Sequence, residues 1–125
     1  MLRNRLYDFV EDICKYNNFT HEKTEEIQYI TRVLMYEILK IIIKNGKGTE
    51  VNTAGLRKNL GYPHPHKDIL KMYKDLGGEI ITIGSDAHLP EHIGYKFEDI
   101  PEILKSIGFN YYTVFENQNP KFYKL

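Results

Sequence analysis

The residues of this chain best suited to metal chemistry are Asp86 and His88, in the run Gly84-Ser85-Asp86-Ala87-His88. Two residues apart in an extended segment, their side chains project to the same side. A carboxylate and an imidazole are both ordinary ligands of divalent cations. The spacing alone leaves two interpretations open: a pair of metal ligands, or a capping aspartate beside a hydrogen-bonded histidine.

The element that must position this pair is the apolar, β-branched segment Glu79–Ile83 directly before it. Such a segment predicts a strand of a parallel sheet, buried on both faces. Parallel α/β folds bind their ligands at the carboxyl ends of the strands, which is where Asp86 and His88 would then lie.

The rest of the chain predicts alternating helices and strands, which implies parallel pairing with right-handed crossovers. A long loop is expected over Thr53–Pro65, and Pro65 suits the first position of a helix. The periodicity predicts helices over residues 2–16, 22–44, 65–76 and 97–107, and strands over Thr49–Asn52, Glu79–Ile83 and Tyr111–Phe115.

The longest predicted helix should be capped by Thr20 and stopped by Asn45-Gly46. One apolar stripe runs along it, and further apolar residues widen the stripe towards the carboxyl end, so this half should be buried on more than one side. The stripe consists of Ile27, Ile30, Leu34, Ile38 and Ile41.

Composition narrows the class of protein. The 125 residues fit one domain, with a helical part over residues 1–45 and β/α units over 46–125. Lys+Arg and Asp+Glu both number 17, so no basic field favours nucleic acid. No segment approaches the roughly 20 apolar residues of a membrane span. A single cysteine, Cys14, fits a cytoplasmic location and a packing role.

Several runs together resemble the closing motifs of histidinol phosphatases of the PHP (polymerase and histidinol phosphatase) family. They are Glu50–Lys58 (EVNTAGLRK), Tyr62-Pro63, Ile69–Lys71 and Gly84–His88. The resemblance implies an α/β fold in the form of a partial β/α barrel, the carboxyl-terminal half of the family's distorted barrel, with parallel strands and flanking helices.

The same resemblance implies the roles of individual residues. By this resemblance, Asp86 and His88 correspond to ligands of zinc, manganese or iron. Arg57 corresponds to a residue that binds the substrate phosphate, which suits its planar, permanently charged guanidinium group. Lys15, followed by Tyr16, is a weaker candidate for the same phosphate, because a lysine on an amphipathic helix is usually a surface charge.

The chain also departs from the family. The opening His-x-His strand and further His and Glu ligands of a complete member have no counterpart here, so no catalytic set is complete. Two hypotheses follow. The chain is part of a phosphatase that acts on a phosphorylated small molecule and needs an oligomer or a missing amino-terminal half, or it is a non-catalytic remnant or binding module that oligomerises.

The other histidines and the aromatic residues are expected to have structural roles. His64-Pro65-His66 imitates a metal motif but lies before a helix, where histidines are often exposed. His21 and His92 are expected at the surface. The cluster Tyr111, Tyr112 and Phe115 is expected to pack in the core and along an edge.

Overall fold

The computed structural model describes residues 13–58 and 60–125. The predicted first helix therefore lies mostly outside the described residues, and its described end, residues 13–16, is helical. Cys14 is buried there, as its predicted packing role requires.

The first complete element is the long helix α1, His21–Lys44. The side-chain oxygen of Thr20 accepts a hydrogen bond from the Lys23 amide at 3.2 Å, which satisfies one of the free donors at the helix start. Gly46 follows the helix in the left-handed conformation, with φ 64°. The predicted start, end and cap of this helix are confirmed.

Two short strands form a parallel sheet. Strand β1, Thr49–Asn52, pairs with β2, Ile81–Gly84, in a register that aligns Asn52 with Gly84. The parallel pairing is as predicted, but β2 is less buried than expected. Ile81 is fully buried, whereas Thr82 and Ile83 are only partly covered, because the described residues do not enclose both faces of the sheet.

The connection from β1 to β2 contains two helices, α2, Ala54–Arg57, and α3, Lys67–Asp75. The prediction of one long loop over Thr53–Pro65 is therefore wrong. The side chain of Asn52 accepts a hydrogen bond from the Ala54 amide at 2.8 Å, which favours a helical turn directly after the strand. Pro65 also lies outside α3, which begins two residues later.

The carboxyl-terminal region corrects the prediction of a third parallel strand. After a 3-10 turn, Phe97–Asp99, helix α4 spans Ile100–Ile107 and ends at Gly108 as expected. Strand β3, Tyr111–Glu116, then pairs antiparallel with β4, Asn119–Lys124. The side-chain oxygen of Thr113 in β3 accepts a hydrogen bond from the Ile81 amide at 3.2 Å, so a side chain links the hairpin to β2.

The buried core lies between the parallel sheet, α3 and α4. Tyr73 is central to it: its hydroxyl donates to the Ile80 carbonyl at 2.9 Å, and burial raises its pKa. The ring of Tyr73 also lies directly over Gly78, where a Cβ atom would overlap it. The core residues are Leu39, Val51, Leu70, Tyr73, Ile81, Ile100, Leu104, Ile107 and Phe109.

Helix α1 contacts this core with a different side from its apolar stripe. Leu39 is buried, and Ile42 and Ile43 are partly buried beside it. The expectation that the carboxyl-terminal half of α1 is buried on more than one side is wrong, because the stripe faces outward. We call its exposed members the outer stripe: Ile30, Leu34, Ile38 and Ile41. None of the described helices combines the length and apolarity needed to cross a lipid bilayer.

Candidate functional site

Arg57 connects the ends of the two parallel strands. One terminal nitrogen, Nη1, donates to the Ser85 carbonyl at 3.0 Å, and the other, Nη2, donates to the Asp86 carbonyl at 3.2 Å. The Thr53 amide adds a backbone bond to the Gly84 carbonyl at 2.8 Å. The guanidinium fork therefore holds the loop that carries Asp86, at the carboxyl ends of both strands.

The position of α2, and hence of Arg57, depends on Gly55. This residue is buried, and a Cβ atom built on it would overlap the backbone carbonyl of Tyr62 and approach the His64 ring to 3.2 Å. The absence of a side chain lets the loop before α3 lie directly against α2. Close backbone approach of this kind is a common reason for a glycine inside an element.

The loop after β2 is not extended, contrary to the sequence-based expectation. Asp86 has a φ of 47°, in the left-handed region that Asp tolerates better than most residues. The Ser85 hydroxyl accepts a hydrogen bond from the Gly94 amide at 3.2 Å, which closes the loop on itself. The turn at Asp86, rather than strand alternation, decides where its side chain lies.

Asp86 and His88 nevertheless lie together. Nε2 of His88 is 3.5 Å from Oδ1 of Asp86, and the two side chains are 80% and 53% exposed. Two ligand atoms on one tetrahedral zinc ion are separated by roughly 3.3–3.5 Å, given metal–ligand bonds near 2.0–2.2 Å. The pair therefore fits a divalent ion in donor type and separation, but it supplies two ligands of the usual four.

Within residues 13–58 and 60–125, no group of three or more His, Cys, Asp or Glu side chains is arranged to hold a metal ion. Lys15, the weaker phosphate candidate, is exposed in the helical stretch of residues 13–16. The structure thus brings Arg57, Asp86 and His88 together through the loop after β2.

Two further polar residues, Glu50 and Asn52, lie beside the loop, and the sequence pattern alone predicts no role for them. The carboxylate of Glu50 lies over Gly84, and the Asn52 side chain donates to it at 3.2 Å. Positions 50 and 52 alternate along β1 and so share a face of the sheet. The sequence signal for this arrangement is the pair of polar residues at positions 50 and 52 of a strand that pairs with the one before Gly84–His88.

The remaining histidines have the structural roles expected, with two corrections. His64 is exposed, but His66 is buried, and its Nδ1 accepts a hydrogen bond from the Asp68 amide at 3.3 Å as the cap of α3. His21 is exposed as predicted. His92 is partly buried, in the 3-10 turn Pro90–His92, and not fully at the surface as predicted.

The aromatic cluster is more exposed than expected. Tyr111 and Phe115 are both about half exposed on β3, whereas Tyr112 is partly covered and stacks on Tyr123 of β4, with ring centroids 5.6 Å apart. Tyr111 and Phe115 lie on the same face of β3 as the buried Thr113, one on each side of it, so among the described residues this face is covered at its middle and left open at its two ends.

Comparison with known proteins identifies the relatives of this region. No family model matches the chain. A probable histidinol-phosphatase of Thermotoga maritima is 48% identical over 83 residues, which are 66% of this chain and 35% of that protein. A probable histidinol-phosphatase of Clostridium acetobutylicum is 32% identical over 92 residues, covering 74% of this chain and 34% of the relative.

A histidinol-phosphatase of Lactococcus lactis extends the match to 86% of this chain and 44% of the relative, at 26% identity over 118 residues. Across the curated relatives, matches cover 66–86% of this chain but only 25–44% of each relative. The recognition from the sequence motifs is confirmed: most of this chain is similar to part of curated histidinol-phosphatases, and it spans less than half of the length of each relative.

Proposed function

We propose that this chain supplies the carboxyl-terminal part of a histidinol-phosphatase-like, metal-dependent phosphomonoesterase, folded as part of a β/α barrel. The observation that carries the proposal is the convergence of Arg57, Asp86 and His88 at the carboxyl ends of two parallel strands. The substrate would be histidinol phosphate, hydrolysed to histidinol and phosphate. The 48% identity to a probable histidinol-phosphatase supports this choice.

The proposal gives each residue a distinct task. Asp86 and His88 would hold a divalent ion, zinc, manganese or iron, which when bound would supply positive charge next to the phosphate. Arg57 uses two of its five N–H donors on the loop carbonyls. Its remaining donors and its permanent charge would be available to a phosphate oxygen.

The same geometry argues that the chain does not turn substrate over alone. Hydrolysis of a phosphate monoester is among the slowest uncatalysed reactions, so a catalyst must hold charge at fixed positions. An ion held by Asp86 and His88 alone would keep most of its coordination as water and would exchange readily. The remaining ligands would come from another polypeptide or from residues outside those described.

The test measures metal binding and hydrolysis separately on the purified chain. Calorimetric titration with zinc or manganese should detect weak binding that Asp86→Asn and His88→Ala remove. His21→Ala is the matched control, because His21 also lies exposed beside a carboxylate, with 3.3 Å between its Nε2 and Glu25 Oε1. Binding should survive in that variant.

Histidinol phosphate with the same metals should show no saturable turnover above a metal-only blank. If saturable turnover appears and His88→Ala abolishes it, the chain is a sufficient catalyst and the partial-enzyme proposal fails. If metal binding is unchanged in both site variants, the metal role of Asp86 and His88 is wrong.

A second candidate function is a non-catalytic module that binds one ion or a phosphate. The exposure of the Asp86–His88 pair favours it, because a single ion could be captured and released there without a second site. Addition of a separately produced amino-terminal half of a relative distinguishes the two. Restored turnover supports the partial enzyme, and metal binding without turnover supports the module.

A further inference from the structure

Helix α1 has two apolar faces, and only one of them contacts the core that residues 13–58 and 60–125 form. Leu39 is buried, whereas Leu34, five positions earlier, is 56% exposed. Five positions separate residues by about 140° around a helix of 3.6 residues per turn. Ile30 and Ile41, on the same outer face as Leu34, are 46% and 59% exposed. Adjacent exposed aliphatic side chains of this kind mark an interaction surface.

The net charge beside the outer stripe has opposite signs at the two ends of α1. Its first turns carry Glu22, Glu25 and Glu26 with one lysine, Lys23, and its last turns carry Lys40 and Lys44 with one glutamate, Glu37, so the two ends differ in the sign of their net charge. Glu26 and Lys40 are 14 positions apart, about four turns, so both flank the outer stripe on the same side. Turning the helix end for end therefore exchanges the positions of Glu26 and Lys40 and brings a net acidic end beside a net basic one.

We infer that the outer stripe is covered by a second copy of this chain, with the two α1 helices antiparallel around a two-fold axis near Leu34. The apolar side chains of each copy would fill the stripe of the other, as in the isologous interface of a two-fold dimer. Glu26 would face the partner's Lys40, and Lys40 would face the partner's Glu26.

Charge decides between the two possible orientations. A parallel pair would bring like charges together at both ends, whereas the antiparallel pair joins opposite charges and opposes the two helix dipoles favourably. Glu26 and Lys40 now pair within their own helix, with Lys23 at 2.8 Å and Glu37 at 3.3 Å. Such exposed pairs are weak, so they do not prevent contacts with a partner.

The first experiment tests the apolar contact by sedimentation equilibrium of the full chain. Wild type should be dimeric at micromolar concentration, and Leu34→Glu should weaken association by at least about a hundredfold, since two buried leucines are replaced by facing charges. Leu89→Glu is the matched control, because Leu89 is 50% exposed but lies far from α1 in sequence. It should associate like wild type.

Circular dichroism of the same samples shows whether Leu34→Glu still folds, and because Leu34 is exposed its helicity should be unchanged at low concentration. A wild-type chain that stays monomeric at high micromolar concentration overturns the inference. So does Leu34→Glu protein that folds and dimerises as well as wild type.

The second experiment tests the orientation with charge reversals. Glu26→Lys and Lys40→Glu should each weaken the homodimer, because like charges then meet at both ends. Mixed together, the two variants should form a heterodimer about three- to tenfold more stable than either homodimer, from two exposed ion pairs. Changes of contacts within each helix are present in the monomer and in the dimer alike, so they cancel in the association constants. Glu26→Lys and Lys40→Glu homodimers that associate as strongly as wild type would show that the antiparallel arrangement is wrong, because in a parallel pair each reversal replaces one pair of facing like charges by another.

Discussion

The contacts that hold the loop of the candidate site are firmer than the contact between the two side chains that the loop presents. We call the contacts made by Gly55 and Arg57 the frame. In the frame, Gly55 lies against a backbone carbonyl, and Arg57 donates to the Ser85 and Asp86 carbonyls. Above it, the mostly exposed side chains of Asp86 and His88 approach only to 3.5 Å. The described fold therefore fixes the loop that carries Asp86 and His88, whereas the contact between these two side chains adds little to the stability of the fold.

The largest expected effect comes from breaking the frame at Gly55. Gly55→Ala places a Cβ atom on the Tyr62 carbonyl, and because that neighbour is backbone it cannot move aside cheaply. We expect the free energy of unfolding to fall by about 2–3 kcal/mol, measured by urea denaturation.

Gly46→Ala is the control for Gly55→Ala, because Gly46 has open space around it but a φ of 64°. Its loss should be limited to about 1 kcal/mol, the cost of the left-handed conformation. Equal losses in the two variants would mean that the contact between α2 and the Tyr62 loop does not constrain the fold.

A smaller effect is expected from Arg57→Lys, which keeps the charge but loses the fork that spans two carbonyls. Losing two partly exposed hydrogen bonds should cost about 1–2 kcal/mol and speed amide hydrogen exchange in residues 85–88. Lys58→Ala removes the neighbouring exposed cation and should change neither quantity. Unchanged exchange in Arg57→Lys would show that the fork does not hold the loop.

The smallest effects belong to Asp86 itself. Asp86→Asn and Asp86→Gly should leave the free energy of unfolding within about 0.5 kcal/mol of wild type, because both residues tolerate a positive φ and the lost contact is exposed. Asp86→Ala should cost about 1 kcal/mol through its backbone alone. Thermal denaturation of the three variants checks this order, and a large loss in Asp86→Asn would contradict the weak contribution of the pair.

The sequence predicted the elements that rest on repeated patterns. The long helix, its Thr20 cap and the parallel pairing of β1 with β2 follow from periodicity and β-branched content. Helix α2 escaped prediction because four residues carry no periodic signal, and its formation depends on the Asn52 side chain.

Strand β4 escaped prediction because it is exposed along its length and does not alternate apolar with polar residues. Its signal was the turn before it, where Asn117 and Gln118 both have positive φ values, 49° and 65°. Two such residues suit a tight hairpin turn, but Gln is uncommon there, so the pattern was easy to miss.

For the candidate site, the sequence predicted the neighbours but not the geometry. Asp86 and His88 are close as expected, although the reason is a left-handed turn that residue types alone do not specify. The contacts of Arg57 with loop carbonyls depend on where α2 is packed, which involves residues nearly thirty positions apart.

The overlap between Gly78 and the Tyr73 ring also limits how this protein can change over evolutionary time. Any side chain at position 78 would collide with a buried ring whose hydroxyl is bound to the Ile80 carbonyl. Position 78 can therefore accept a larger residue only after position 73 has been replaced by a smaller one. The two substitutions are tolerated in one order and not in the other. Natural variants with a side chain at position 78 should therefore carry a smaller residue than Tyr at position 73.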